Sequence, residues 1–269
     1  MCDTRSVQCI SDIGISTGAY LNLSLASALL RISELTSFAE VLSLGPHSIL
    51  DPANARVLGV AGLPFSVHGP FTHFELGSRW GSAHKIAMEV HRRHIAAAAE
   101  LGAGLYVVHP DVQRRPRVRS RRVVAMMESA FEELTEMQEE CGMPIAVENL
   151  PFIRHSHFVA PGDLDVKGLA VVLDAGHAAI TGTLDAWLAP TGHDIRHVHL
   201  HDNKGTHGGD LHDPCGTGVV DAAPVIAAAR AMGATIILEH KNEGEVQQSF
   251  DYLKARGLLT QPNDCGEQP

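Results

Sequence analysis

The sequence predicts an α/β protein folded as a single closed (β/α)8 barrel. Short β-branched runs recur eight times along the chain, many are separated by stretches whose apolar residues repeat every three to four positions, and six of the runs lead into a histidine or a carboxylate. The length of 269 residues suits one barrel of about 250 residues with short tails.

Strands are expected at Cys9–Ser16, Phe38–Ser43, Pro64–His68, Leu105–His109, Ile145–Glu148, Ala170–Asp174, Ile195–His201 and Thr235–Glu239. The best-marked helix is Arg121–Glu140, where Val123, Met127, Ala130, Phe131, Leu134 and Met137 form one apolar stripe beside an acidic face. Gly142 and Pro144 stop it. A second helix starts at the cap Asp221, tolerates Pro224 in its first turn and ends at Gly233. The stretch between Leu150 and Gly168 carries poor helix signals, which leaves a doubly wound open sheet as the alternative fold. No linker or repeat divides the chain, so residues 1–259 are expected to form the barrel. Residues 260–269 read as a polar, disordered tail.

Composition narrows the class. Hydrophobic residues make up 45% of the chain, enough for a sizeable core, and the net charge is −10. Cys2, Cys9, Cys141, Cys215 and Cys265 are odd in number and form no C-x-x-C pair, which argues against a disulfide framework or a thiolate zinc site. A reducing cytoplasm is the expected compartment. No apolar run reaches the roughly 18–20 residues of a membrane span, and Met1–Ile10 lacks secretory features. The 17 histidines outnumber Phe, Tyr and Trp together, which directs the search to metal ligands.

In a parallel barrel the carboxyl ends of all strands open on one face, so polar residues ending them share a pocket. PFSVHG brings His68, YVVHPD His109, IAVENL Glu148, VVLDAGH Asp174 and His177, HVHLHDN His199, and IILEHK Glu239. So many carboxylates and imidazoles in one pocket require compensating positive charge, and a metal ion supplies it. Mixed Asp, Glu and His ligation suits zinc, manganese, iron or cobalt in an open, catalytic site. The loop DNKGTHGGDLHDPCGTG adds Asp210 and His212 as further ligand candidates. His197 shares a face with His199 but lies lower in the barrel and reads as packing. His201 reads as a residue behind the ligands, while His84, His91, His94, His155, His157, His193 and His207 read mostly as solvated.

From about Pro64 to Glu239 the chain resembles the endonuclease IV and xylose-isomerase-like TIM-barrel superfamily, which includes apurinic endonucleases (AP endonuclease family 2) and sugar isomerases and epimerases. The nuclease branch's metal set is matched by His68, His109, Glu148, Asp174, His177, His199, Asp210, His212 and Glu239. The resemblance implies three zinc ions there, with Glu148 bridging one ion also held by His68 and His109 and another held by Asp174, His199 and Glu239. His177, Asp210 and His212 would hold the third. The isomerase branch uses only the equivalents of Glu148, Asp174, His199 and Glu239 around one metal. The chain departs from nuclease signatures at Leu211, Gly176 and His201, which stand where Arg, Cys and Asn are usual. The basic and aromatic DNA-reading loops also have no counterpart, as LGPHSILDP and GPFTHFELG stand there.

The functional expectation is a divalent-metal-dependent isomerase or epimerase of a small sugar or sugar phosphate, with one to three ions. Glu148 and Glu239 would exchange a proton through an enediolate. The alternative is a multinuclear zinc phosphodiester hydrolase acting on abasic DNA, and DNA is a partner only in that case. No membrane partner is expected. Arg114, Arg115, Arg117, Arg119, Arg121 and Arg122 crowd just after His109 and so sit at the rim of the pocket. Neutralising Arg114, Arg115 and Arg117 together should therefore raise KM chiefly for phosphorylated substrates, each charge-assisted bond contributing about 1.5–3 kcal/mol. Equal KM values for parent and variant on phosphorylated and unphosphorylated sugars would reduce the cluster to a solvated face.

Overall fold

The computed structural model describes residues 11–71, 74, 76–78, 81–111, 121–151 and 156–259, apart from the side chain of residue 207. Eight parallel strands close into a barrel in chain order. They are β1 (Gly14–Ser16), β2 (Ala39–Leu42), β3 (Phe65–His68), β4 (Tyr106–Val108), β5 (Ile145–Glu148), β6 (Ala170–Asp174), β7 (Ile195–Leu200) and β8 (Thr235–Leu238). The first strand pairs with the last, Gly14 beside Ile237 and Ile15 beside Leu238, so the open-sheet alternative is excluded. The observed strands are shorter than expected at several ends. Ser11 makes only an isolated bridge to Thr36 ahead of β1, and His109, His201 and Glu239 follow their strands rather than end them.

Helices α1 (Leu25–Ser33), α2 (Pro52–Ala61), α3 (Gly81–Glu100), α4 (Arg121–Cys141), α5 (Ala175–Thr181), α6 (Leu184–Leu188), α7 (Ala222–Met232) and α8 (Glu243–Ala255) follow the strands. The predicted stripe of α4 is buried from Val123 to Met137. Asp221 caps α7 by accepting from the Ala223 N–H, and Gly233 ends it in the left-handed region. Between Leu150 and Gly168 the described residues contain no helix. The chain is pinned there by side chains instead: Asp163 accepts from the Val159 and Ala160 amides, and the Trp187 indole donates to the Val159 carbonyl.

Strand residues divide into two sets. One set, including Ile15, Val41, Val67, Val108, Val147, Leu173 and Leu238, packs against the helices in the main core. Leu105, Val107, Ala146, Ala170 and Val172 form a separate small apolar cluster inside the barrel. Above it the interior turns polar, and this is where the strand-end ligand candidates lie. A bulge sets the phase of β7: Val171 pairs with Ile195 and Val172 with His197, so Arg196 is skipped and exposed. The slip leaves Ile195 among the core residues and turns both His197 and His199 inward.

Among the described residues no helix is long and apolar enough to cross a membrane. The expected tail, His155 and the arginines at 114, 115, 117 and 119 lie outside the described residues, whereas Arg121 and Arg122 are exposed on the first turn of α4.

Several histidines read as solvated are in fact core residues. His91, His94 and His157 are buried. His91 Nε2–H donates to the Phe74 carbonyl at 3.3 Å, and its Nδ1 accepts from the Tyr106 hydroxyl at 3.0 Å, which fixes a neutral tautomer. Burial pushes its pKa down from 6.5 to about 4. Below pH 6.5 the unfolded chain therefore takes up a proton that the folded chain refuses until about pH 4. The stabilisation is present above 6.5 and lost on acidification through that window, at most about 3 kcal/mol in all. Urea unfolding between pH 7 and pH 4 should show a shallower loss of stability in His91→Gln than in the parent. Parallel curves would remove His91 from the acid sensitivity.

Candidate metal centre

The barrel face brings the predicted ligands together from six strands. Nδ1 of His199 lies 3.4 Å from Glu148 Oε1, 3.3 Å from Glu239 Oε2 and 3.8 Å from Asp174 Oδ2. Donor atoms of these four residues all lie within 4.8 Å of one another, a spacing that suits one ion. The other oxygen of Glu148, Oε2, faces His68 Nε2 at 3.2 Å and His109 Nε2 at 3.1 Å. Glu148 thus presents one oxygen to each of two donor groups.

A further group lies toward the rim. Asp210 Oδ2 is 3.5 Å from His177 Nε2, and its Oδ1 is 3.2 Å from His212 Nε2. All nine ligand candidates thus lie in one continuous cluster. Asp174 joins the two ends of it, because its Oδ1 also accepts from the His177 backbone N–H at 2.6 Å and so caps α5.

Hydrogen bonds decide which nitrogen of three of the imidazoles faces the cluster. Nδ1–H donates to the Gly69 carbonyl in His68, to the Asn149 carbonyl in His177 and to the Glu239 carbonyl in His212. Each leaves Nε2 aimed inward, the arrangement that prepares a histidine for metal. His199 is reversed: its Nε2 faces Glu40 Oε1 at 3.1 Å and its Nδ1 faces the quartet.

The electrostatics point the same way. Burial lowers the pKa of His68, His177 and His212, but neighbouring carboxylates outweigh it and raise them to about 9, 10 and 9. Burial alone would raise Glu148, yet the imidazoles of His199 and His109 hold it well below the usual range, and His177 and His212 do the same for Asp210. The cluster draws positive charge inward, which protons or a cation can supply. Among the described residues, buried His199 Nδ1 and His177 Nε2 have no hydrogen-bond partner, and both face carboxylate oxygens. Unpartnered, inward-facing imidazole nitrogens beside carboxylates fit divalent metal ions.

Sequence reasoning missed several residues that hold this geometry. Glu40, fully buried in mid-β2, accepts from Ser66 Oγ–H at 3.2 Å and faces both His199 and His197, the latter at 2.9 Å. His197 is therefore part of a polar layer beneath the ligand candidates, beyond simple packing. The signal was an acid between Ala39 and Val41, in a strand buried along its whole length. Asn149 accepts from the Asp174 N–H and donates to its carbonyl, and Phe71 stacks on His109 at 4.7 Å.

A closed (β/α)8 barrel with a histidine and carboxylate centre at the carboxyl ends of its strands is the class of protein that fold and site define. Within that class, the chain belongs to the xylose isomerase-like TIM barrel family, whose pattern matches residues 53–256. Protein MJ1311 of Methanocaldococcus jannaschii is 30% identical over 261 residues, covering 90% of this chain and 87% of its own. The probable endonuclease 4 of Mycobacterium tuberculosis is 27% identical over 224 residues, 76% of this chain and 82% of its own. The crystal structure of a D-tagatose 3-epimerase-like protein superimposes with a TM-score of 0.77 at 27% identity, covering 90% of this chain and 96% of its own.

The loop carrying Asp210 and His212 is organised by a buried carboxylate. Asp202 accepts from the backbone N–H groups of Asn203, Gly216, Gly218 and Val220 at 2.7–3.1 Å. Gly218 is required there, because a Cβ at that position would run into the Asn203 carbonyl. An amide in place of the carboxylate would turn an N–H2 group toward two of these donors. Asp202→Asn should cost on the order of 2–4 kcal/mol in urea unfolding and speed amide exchange across residues 208–218. Unchanged protection would show that the loop is held by other contacts.

Proposed function

We propose that the chain is a divalent-metal-dependent epimerase or isomerase of a small sugar or sugar phosphate. The observation carrying this reading is the quartet Glu148, Asp174, His199 and Glu239, whose two glutamates reach one centre from β5 and from the end of β8. The likeness to the D-tagatose 3-epimerase-like structure supports it. A divalent ion held by the quartet would polarise adjacent carbonyl and hydroxyl oxygens and acidify the C–H between them.

The protein groups then divide the proton work. Glu239 is the accessible carboxylate of the pair, with its side chain 14% exposed against 1% for Glu148. It is placed to carry a proton from solvent to one face of the sugar. Glu148, kept anionic by its imidazole neighbours and anchored by His68 and His109, is the base that takes the substrate proton from the opposite face.

A second reading, phosphodiester hydrolysis, is favoured by one further observation. The two oxygens of Glu148 face separate donor groups, as a bridge between two ions requires, and His177, Asp210 and His212 add a third group. The endonuclease 4 relative supports this alternative. DNA is a partner only under it.

The experiment is hydrogen exchange from D2O into ketohexoses such as D-tagatose, followed by NMR with zinc, manganese or cobalt present. Glu148→Gln and Glu239→Gln should each slow exchange by about 10²–10⁴-fold without changing the fold by circular dichroism. Substantial exchange in both variants would sink the assignment. Cleavage of an abasic duplex by the parent, with two or three metals bound and no exchange on sugars, would transfer the conclusion to the hydrolase.

A further inference from the structure

We infer that His201 is a positioning residue that locks together the central ligand Asp174 and the rim ligand His212, in a space that exists because residue 176 is glycine. His201 is fully buried. Its Nε2 lies 3.1 Å from Asp174 Oδ1 and 3.2 Å from Oδ2, so a single N–H spans both oxygens of the carboxylate. The face of the ring stacks on His212, with centroids 4.0 Å apart and planes within 15°. One side chain thereby fixes the rotamer of one ligand and the ring plane of another.

His201 is not itself a ligand of the rim ion, although its nitrogen lies within 4.8 Å of donor atoms of His177, Asp210 and His212. Two imidazoles bound to one tetrahedral ion aim their ring planes at it from directions about 110° apart. Near-parallel rings at 4.0 Å cannot both do so. His177, by contrast, meets His212 nearly edge to face, at 6.0 Å and 87°, which is compatible with sharing an ion.

Gly176 supplies the room. A Cβ at that position would overlap the His201 ring, and Gly176 sits in the first turn of α5, directly before His177. Any larger residue would expel the ring from beneath Asp174. Glycine at 176 and histidine at 201 are thus one structural choice made at two positions.

The inference rests on the metal-holding part of the proposed function and is independent of the substrate. The test uses Co2+ as the probe, titrated into metal-stripped parent, His201→Asn, Gly176→Ala and the double variant, with affinities and visible absorption spectra recorded. His201→Asn is expected to weaken cobalt binding by about 10–100-fold and alter the spectrum, while thermal melting of the metal-free protein changes little. Gly176→Ala should do the same although His201 is present. The double variant should resemble His201→Asn alone, because the shorter side chain leaves room for the methyl group. Parent-like affinities and spectra in His201→Asn overturn the role of His201 alone. A double variant showing the summed losses of both singles overturns the link to Gly176. A parent that binds no cobalt overturns this inference and the metal reading together, so the failures are distinguishable.

Discussion

A carboxylate held deep in a barrel needs positive charge or several hydrogen-bond donors beside it, and Glu148 takes its share from imidazoles. Around its two oxygens stand His68, His109, His177 and His199, contributed by β3, the residue after β4, the start of α5 and β7. Each of those elements must end in register for the charges to meet. The parallel pairing of β3 through β7 and the bulge that rephases β7 deliver that register. The apolar interior below and the helix-facing core outside then keep the strand ends from shifting.

The same requirement propagates outward through polar contacts at the other nitrogen of four inward-facing imidazoles, those of His68, His177, His212 and His199. Backbone carbonyls of Gly69, Asn149 and Glu239 serve three of them, and Glu40 faces the fourth. Asn149 ties β5 to β6 by bonding both backbone groups of Asp174. His240 donates from Nδ1 to the His212 carbonyl and is itself held by Ser249 Oγ on α8. The rim loop is therefore connected to the helix layer, and the left-handed backbone of His212, at φ 49°, is sustained by contacts on both sides.

Much of this was legible because barrels display their chemistry at strand ends. A polar residue after an apolar run, met again and again along the chain, needs no tertiary information to be read as a shared pocket. The Asp210-x-His212 pair was legible for the same reason, being glycine-bounded on a loop with no apolar duty. Glu40 was not, because one acid inside a strand has no repeating pattern to mark it, and its partners Ser66, His197 and His199 lie on two other strands. The buried state of His91 and His157 was hidden likewise: their partners Tyr106 and Asp111 are brought to them by the β4 region and its following loop. Helix spacing was also a poor guide to the path between β5 and β6, where side-chain bonds from Asp163 and Trp187 replace helical ones.

The two chemistries compatible with this barrel differ at one atom, Oε2 of Glu148. If His68 and His109 act on it only as hydrogen-bond donors, Glu148 would have only Oε1 to offer to a metal. It is then a carboxylate with a tuned proton affinity, which is what proton transfer on a sugar requires. If those same imidazoles held an ion, both oxygens of Glu148 would be committed to cations and the carboxylate could no longer carry a proton. The centre would then supply paired cations, whose use would be to stabilise charge on a phosphate. The fold is indifferent to that choice, since both cases need the same strand ends in the same register. What separates them is whether Nε2 of His68 and His109 presents a proton or a lone pair. The raised pKa of His68, about 9, holds a proton there near neutral pH unless a divalent cation displaces it. Under the proposed reading, the chemistry of the barrel would thus be set by competition between a proton and a metal ion at a buried imidazole.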